Sequence, residues 1–141
     1  MERECSYIAR NISTIYRISS AHFSKELKKL NIGSGQYLYM IYLYNNEGCT
    51  QEEMSTRLSI DKGTTAKAIK RLEEEGYVKR IPHEEDKRAY RVYITPKGFE
   101  IKKEFYEVLQ NWNFYIEEAL KDDEIKELNT LLNKIIKKIN I

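Results

Sequence analysis

Between residues 54 and 72 the sequence carries five cationic side chains, Arg57, Lys62, Lys67, Lys70 and Arg71, against one acid, Asp61. A block of three glutamates, Glu73, Glu74 and Glu75, closes the stretch. On a helix, Lys67, Lys70 and Arg71 recur at three- and four-residue spacing and share one face. Ammonium and guanidinium groups in that arrangement can meet phosphates or the acceptor edge of guanine. Thr64 can hydrogen-bond a base or a phosphate, and Gly63 lets the backbone come close to a ligand. The free amides of a helix start favour phosphate as well. The preceding segment adds Thr50, Gln51 and Arg57 as candidate contacts. A second cationic cluster, Lys87, Arg88 and Arg91, follows three acids, Glu84, Glu85 and Asp86. Arg88 is suited to a minor groove, and Asp86, two residues earlier, is expected to pair with it and orient it.

Other chemistries find little support. Cys5 and Cys49 lack C-x-x-C spacing, and His22 and His83 stand alone, so no metal and no cofactor is expected. There is no nucleophile–base pair and no phosphate loop, which argues against an enzyme. The net charge is only +2, so the sorting of charge matters more than its sum. A chain of 141 residues is the length of one domain. With 33% charged and 41% hydrophobic residues it is neither disordered nor fibrous. Mean hydropathy is −0.65, and no run reaches the ~18 apolar residues of a membrane span. Met1 to Cys5 offers no apolar leader, so the expectation is a cytoplasmic protein with no membrane partner.

The elements that must hold these residues follow from periodicity and caps. Ile8, Ile12, Ile15 and Tyr16 predict a first helix. Asn31 to Gly35 is a turn, with Ser34 as the expected cap of an almost wholly apolar helix over 36–45. Thr50 and Glu53 fit a capping box for a short helix. Asp61 is the expected N-cap of a helix over 62–75, with Thr65, Ala68, Ile69 and Leu72 inward and Gly76 as its stop. Residues 77–81 and 91–95 alternate like strands and predict a β-hairpin with a polar tip. Thr95 and Pro96 start a long helix reaching about Leu120. A last helix begins at Asp122, Asp123 and Glu124 and carries Leu128, Leu131, Leu132, Ile135, Ile136 and Ile139.

Two short helices joined at a tight corner and followed by a hairpin describe a winged helix-turn-helix, mainly α with a small β-hairpin. At this point the chain resembles the MarR-type (multiple antibiotic resistance regulator) transcription factors. The residues that carry the likeness are Asp61-Lys62-Gly63-Thr64-Thr65, Leu72 to Val78, Asp86-Lys87-Arg88, and Val92-Tyr93-Ile94-Thr95-Pro96-Lys97-Gly98. The resemblance implies a sequence-specific transcriptional regulator, a homodimer on a pseudo-palindromic duplex DNA operator, and a wing arginine at Arg88 with Asp86 as its acidic partner. The expected organisation is a single domain, with 34–99 as the DNA-binding region and 1–33 plus 100–141 as the dimerisation region. The reading helix departs from the family at Gly63, Ala66 and Lys67, where serine, a hydroxyl residue and arginine are usual. The many apolar positions of the last helix support dimerisation independently.

Control is less directly written. Eleven tyrosines suggest an aromatic pocket for a small phenolic effector that releases a repressor, with Tyr16, His22, Tyr37, Tyr42 and Trp112 as candidates. One alternative is peroxide or thiol sensing through Cys5, although the family's sensing position falls near Ala9. Another is a protein–protein adaptor that keeps the winged fold and reads no DNA.

Overall fold

The computed structural model describes residues 6–140. The chain divides into two compact units, Met1–Tyr106 and Glu107–Ile141.

In the first unit, helix α1 spans Ile8–Glu26 and runs into a 3-10 turn, Leu27–Leu30. Asn31 ends that turn in the left-handed conformation at φ 55°. Helix α2 spans Tyr37–Asn45. Ser34 does not cap it; the Gln36 side chain closes the turn instead, accepting from the Gly33 amide at 2.9 Å. Helix α3, Gln51–Leu58, has the expected capping box: Thr50 Oγ accepts from Glu53 N at 3.1 Å and Glu53 accepts from Thr50 N at 3.0 Å. Helix α4, Lys62–Glu74, is capped by Asp61, which accepts from Thr64 N at 2.8 Å. Gly76 then turns the chain at φ 81°.

Strands β1, Val78–Pro82, and β2, Tyr90–Ile94, pair antiparallel with Val78 opposite Ile94 and Pro82 opposite Tyr90. The segment before α3 adds a third rail on the far side of β2. Gly48 N donates to Val92 O at 2.8 Å, and Val92 N donates to Cys49 O at 2.9 Å. Helix α5, Pro96–Glu100, starts on Thr95 as predicted. The expected continuous helix is instead broken at Ile101, and α6 begins at Lys102 and ends at Glu117. Ile101 keeps φ −86° and ψ −5°, so the break is a tightening of one turn rather than a loop. Gly98 lets α5 pack close to the chain before β1: a Cβ there would collide with Tyr77 O.

The core of this unit is built from Leu27, Ile32, Met40, Leu43, Met54, Ile69, Leu72, Val78, Val92 and Phe105, each at most 2% exposed. Burying each such side chain is worth roughly 1.5–3 kcal/mol. Three tyrosines act as hydrogen-bonded posts in it. Tyr39 meets buried Thr65 at 3.1 Å, tying α2 to α4. Tyr77 donates to Leu30 O and Tyr44 to Gly98 O, both at 2.6 Å. The tyrosine surplus is therefore partly structural.

The second unit holds the rest of α6 and helix α7, Asp122–Ile139. The α7 start is closed by Glu124, which accepts from Lys121 N at 2.9 Å. Its acidic first turn and basic last turn both suit the helix dipole. None of its residues is buried, and Leu128, Leu131, Ile136 and Ile139 are exposed.

Candidate nucleic-acid interface

The starts of α3 and α4 and the tip of the hairpin converge on one cleft of about 330 Å³. Thr50, Gln51 and Glu52 line it from α3, Lys62 and Ala66 from α4, and Asp86, Arg88, Ala89 and Tyr90 from the wing. The α4 face that bounds it is fixed from behind. Thr65, Ala68, Ile69 and Leu72 are buried, so Lys62, Gly63, Thr64, Lys67, Lys70 and Arg71 are turned to solvent. Lys67, Lys70 and Arg71 surround a second hollow with Glu74 and Glu75. Among the described residues no ion pair engages these three cations.

Several expected contacts are partly committed inside the protein. Thr50 serves as the cap of α3. Thr64 donates its hydroxyl to Asp61 at 2.7 Å, leaving only its lone pairs for a ligand. Those two hydrogen bonds from Thr64 hold the Asp61 carboxyl below the usual carboxylate range. Lys62 pairs with Glu52 at 3.2 Å across the cleft mouth. Sequence reasoning missed Glu52, although an acid at the second position of a helix preceding a basic one gives a charge signal that can be read. Arg57 lies apart, in a hollow with Glu52, Glu53 and Thr56. Gln51 is half-buried, and its side-chain carbonyl is shut off from solvent with no hydrogen bond among the described residues.

The wing differs most from expectation. Asp86 does not pair with the Arg88 side chain; its carboxylate accepts from the Arg88 backbone amide at 2.9 Å and shapes the turn. An Asx turn of this kind needs only a two-residue offset, which is why the spacing is the same. Arg88 itself is exposed at the cleft. Arg91, expected to reach DNA, is engaged within the protein. Its guanidinium forms a two-pronged pair with Glu84, at 2.7 and 2.9 Å, and donates to Gly48 O at 3.0 Å. The Arg91 hydrogen bonds push the Glu84 carboxyl down to about 2. At the hairpin root Arg80 forms a second two-pronged pair, with Glu73 of α4 at 3.0 and 3.2 Å. It also lies 5.2 Å from the Tyr90 ring centre.

Each candidate effector residue has its own aromatic or titratable neighbours. Tyr37 is buried, with Phe23 at 4.9 Å between ring centres. Burial raises its phenol, and the Tyr16 phenol nearby raises it further. His22 lies 5.9 Å from Phe23, edge-on. Tyr42 is elsewhere, with Cys49, Arg57 and Glu53 as its titratable neighbours. Trp112 stacks on Tyr115 in the second unit, 5.5 Å apart. Cys49 is buried, and burial pushes its thiol up to about 11, which keeps it a neutral filler. Cys5 lies outside the described residues. Among the described residues no group of three or more metal-ligating side chains occurs, and no helix is long and apolar enough to cross a membrane.

Residues 32–90 match the model of the MarR family. The HTH-type transcriptional regulator BilQ of Clostridioides difficile is 32% identical over 87% of the chain and 81% of its own length. A MarR transcriptional regulator from Methanosarcina mazei superposes with a TM-score of 0.90 at 35% identity, over 94% of this chain and 95% of that one. A MarR family regulator from Listeria monocytogenes, solved with a 26mer DNA, superposes with a TM-score of 0.88 at 27% identity, over 99% and 91%.

Proposed function

The chain belongs to the MarR family of transcriptional regulators, and from that premise we propose that it is a homodimeric repressor reading a pseudo-palindromic duplex. The observation that carries this reading is the convergence of α3, α4 and Arg88 on one cleft, beside the exposed row Lys67, Lys70 and Arg71 on α4. In the assembly α4 lies in the major groove and Arg88 enters the adjacent minor groove. A two-fold axis places two such helices about one helical turn, ~34 Å, apart. Two exposed apolar faces support the dimer. Helix α1 exposes Ile8, Ile12, Ile15 and Ile18, and α7 exposes Leu128, Leu131, Ile136 and Ile139. Such surfaces mark association sites.

The test is fluorescence anisotropy with a duplex from the chain's own upstream region. Arg88→Ala weakens binding to all sequences and lowers the log–log salt slope by about one. Absence of binding, with Arg88→Ala changing nothing, favours the adaptor reading.

Release by a small phenolic effector is the regulatory part of the proposal. It is narrowed to the group around Phe23, namely Tyr16, His22 and Tyr37. A thermal-shift screen with phenolic acids tests it; a shift lost in Tyr16→Phe supports the site, and no shift with any acid removes it. Thiol sensing through Cys5 predicts instead that peroxide weakens DNA binding and that Cys5→Ser abolishes the effect.

A further inference from the structure

The hairpin tip is an unexpected place for three successive acids if it is to approach a polyanion. The structure shows how two of them, Glu84 and Asp86, are absorbed. His83 N donates to Ala89 O at 3.0 Å and closes the loop. Glu85 N and Asp86 N both donate to His83 Nδ1 at 3.1 Å. Arg88 N is taken by Asp86. Behind this turn the Arg91 guanidinium touches Glu84, and its other edge donates to Gly48 O, at the start of the segment leading into α3. One side chain therefore joins the tip to the helix-turn-helix. Its Nη2 also approaches His83 Nε2 at 3.1 Å. Because Nδ1 accepts two amide hydrogens, the neutral ring carries its own hydrogen on Nε2. In that tautomer Nε2 is a donor and does not accept from Arg91.

From this geometry we infer that Arg91 is a positioning residue: with Glu84 it sets the path of the wing tip, and DNA affinity depends on it through the placement of Arg88. The inference rests on the proposed DNA-binding function. It makes a prediction opposite in sign to simple electrostatics. Removing the Glu84 charge leaves the tip one unit more positive and frees a guanidinium, which strengthens binding to a polyanion if charge alone matters. If Arg91 acts by placement, the same change weakens binding, because the two-pronged pair that anchors the tip is lost.

The experiment compares the wild-type chain, Glu84→Gln, Arg88→Ala and the double variant on the upstream-region duplex, with thermal melting as the folding control. The expected result is binding weakened about three- to tenfold by Glu84→Gln, shrinking to less than about twofold when Arg88 is already alanine. Arg91→Gln is expected to follow the same pattern. Stronger or unchanged binding by Glu84→Gln overturns the inference, as does an equal loss in both backgrounds. If the wild-type chain binds no duplex, the proposed function falls and this inference with it; binding by the wild type with the wrong sign for Glu84→Gln removes this inference alone.

Discussion

On α4, Lys67, Lys70 and Arg71 stand in solvent, and among the described residues no carboxylate pairs with them, whereas on the wing Arg91 is clamped by Glu84 and by the Gly48 carbonyl. The two regions carry similar charge in opposite conditions. Helix α4 is held through its buried face, Thr65, Ala68, Ile69 and Leu72, so its outer side chains need no further support. The hairpin is two strands of five residues with an exposed tip, and a two-stranded hairpin by itself is marginal in water. It recruits its own cations, Arg80 and Arg91, as braces. Basic residues of these two segments therefore divide into those left in solvent and those that hold the segment in shape. Counting positive charges does not separate them.

Substitutions can break that contrast. The largest expected effect is on α4: Lys67→Ala or Arg71→Ala costs about 1–3 kcal/mol of affinity, roughly 5- to 150-fold, at particular operator positions. Melting temperature stays essentially unchanged, since exposed positions shift stability within about 0.5 kcal/mol. An equal loss on random duplexes shows instead that these side chains meet phosphates only. Next is Gly63→Ala, where the new methyl finds ordinary contact at 3.4 Å from Asp61 Oδ1. It stabilises the folded chain by about 0.5–1 kcal/mol in urea titration. A simultaneous drop in DNA affinity identifies Gly63 as a point of close backbone approach. Smaller still is Glu73→Gln at the wing root. Its pair with Arg80 is about one-third exposed, so the loss in thermal unfolding is about 0.2–1 kcal/mol.

The last prediction concerns protons. Arg91 holds the Glu84 carboxyl down to about 2. A depressed carboxylate contributes stability above its unfolded value, and that contribution disappears only as pH falls through the folded one. The wing clamp is therefore intact from neutral pH down through the ordinary carboxylate range. An NMR titration of the Glu84 side chain with a midpoint near 4.5 contradicts the clamp.

The legible parts of this molecule were those written in three or four consecutive residues. Thr50 with Glu53, Asp61 before Lys62, Gly76, and Thr95 before Pro96 each specify a helix end through a local hydrogen bond or backbone conformation. The face of α4 was legible for the same reason, since Thr65, Ala68, Ile69 and Leu72 repeat with the helical period. Arg91 was not, because Glu84 and Gly48 lie 7 and 43 residues away and only the hairpin register brings them together. The break at Ile101 carries no glycine or proline to announce it. Ser34 is not the cap because α2 begins at Tyr37, which puts the N-cap position on Gln36. For the tyrosines, composition could not tell Tyr39, Tyr44 and Tyr77, which brace the core, from Tyr16, which stands exposed.

The pairing of Cys49 and Gly48 with Val92 has a mechanical consequence. Thr50 follows directly on that seam and is also the residue on which α3 begins. The hairpin and the first turn of α3 therefore share one hydrogen-bonded seam, through which a force on either is passed to the other.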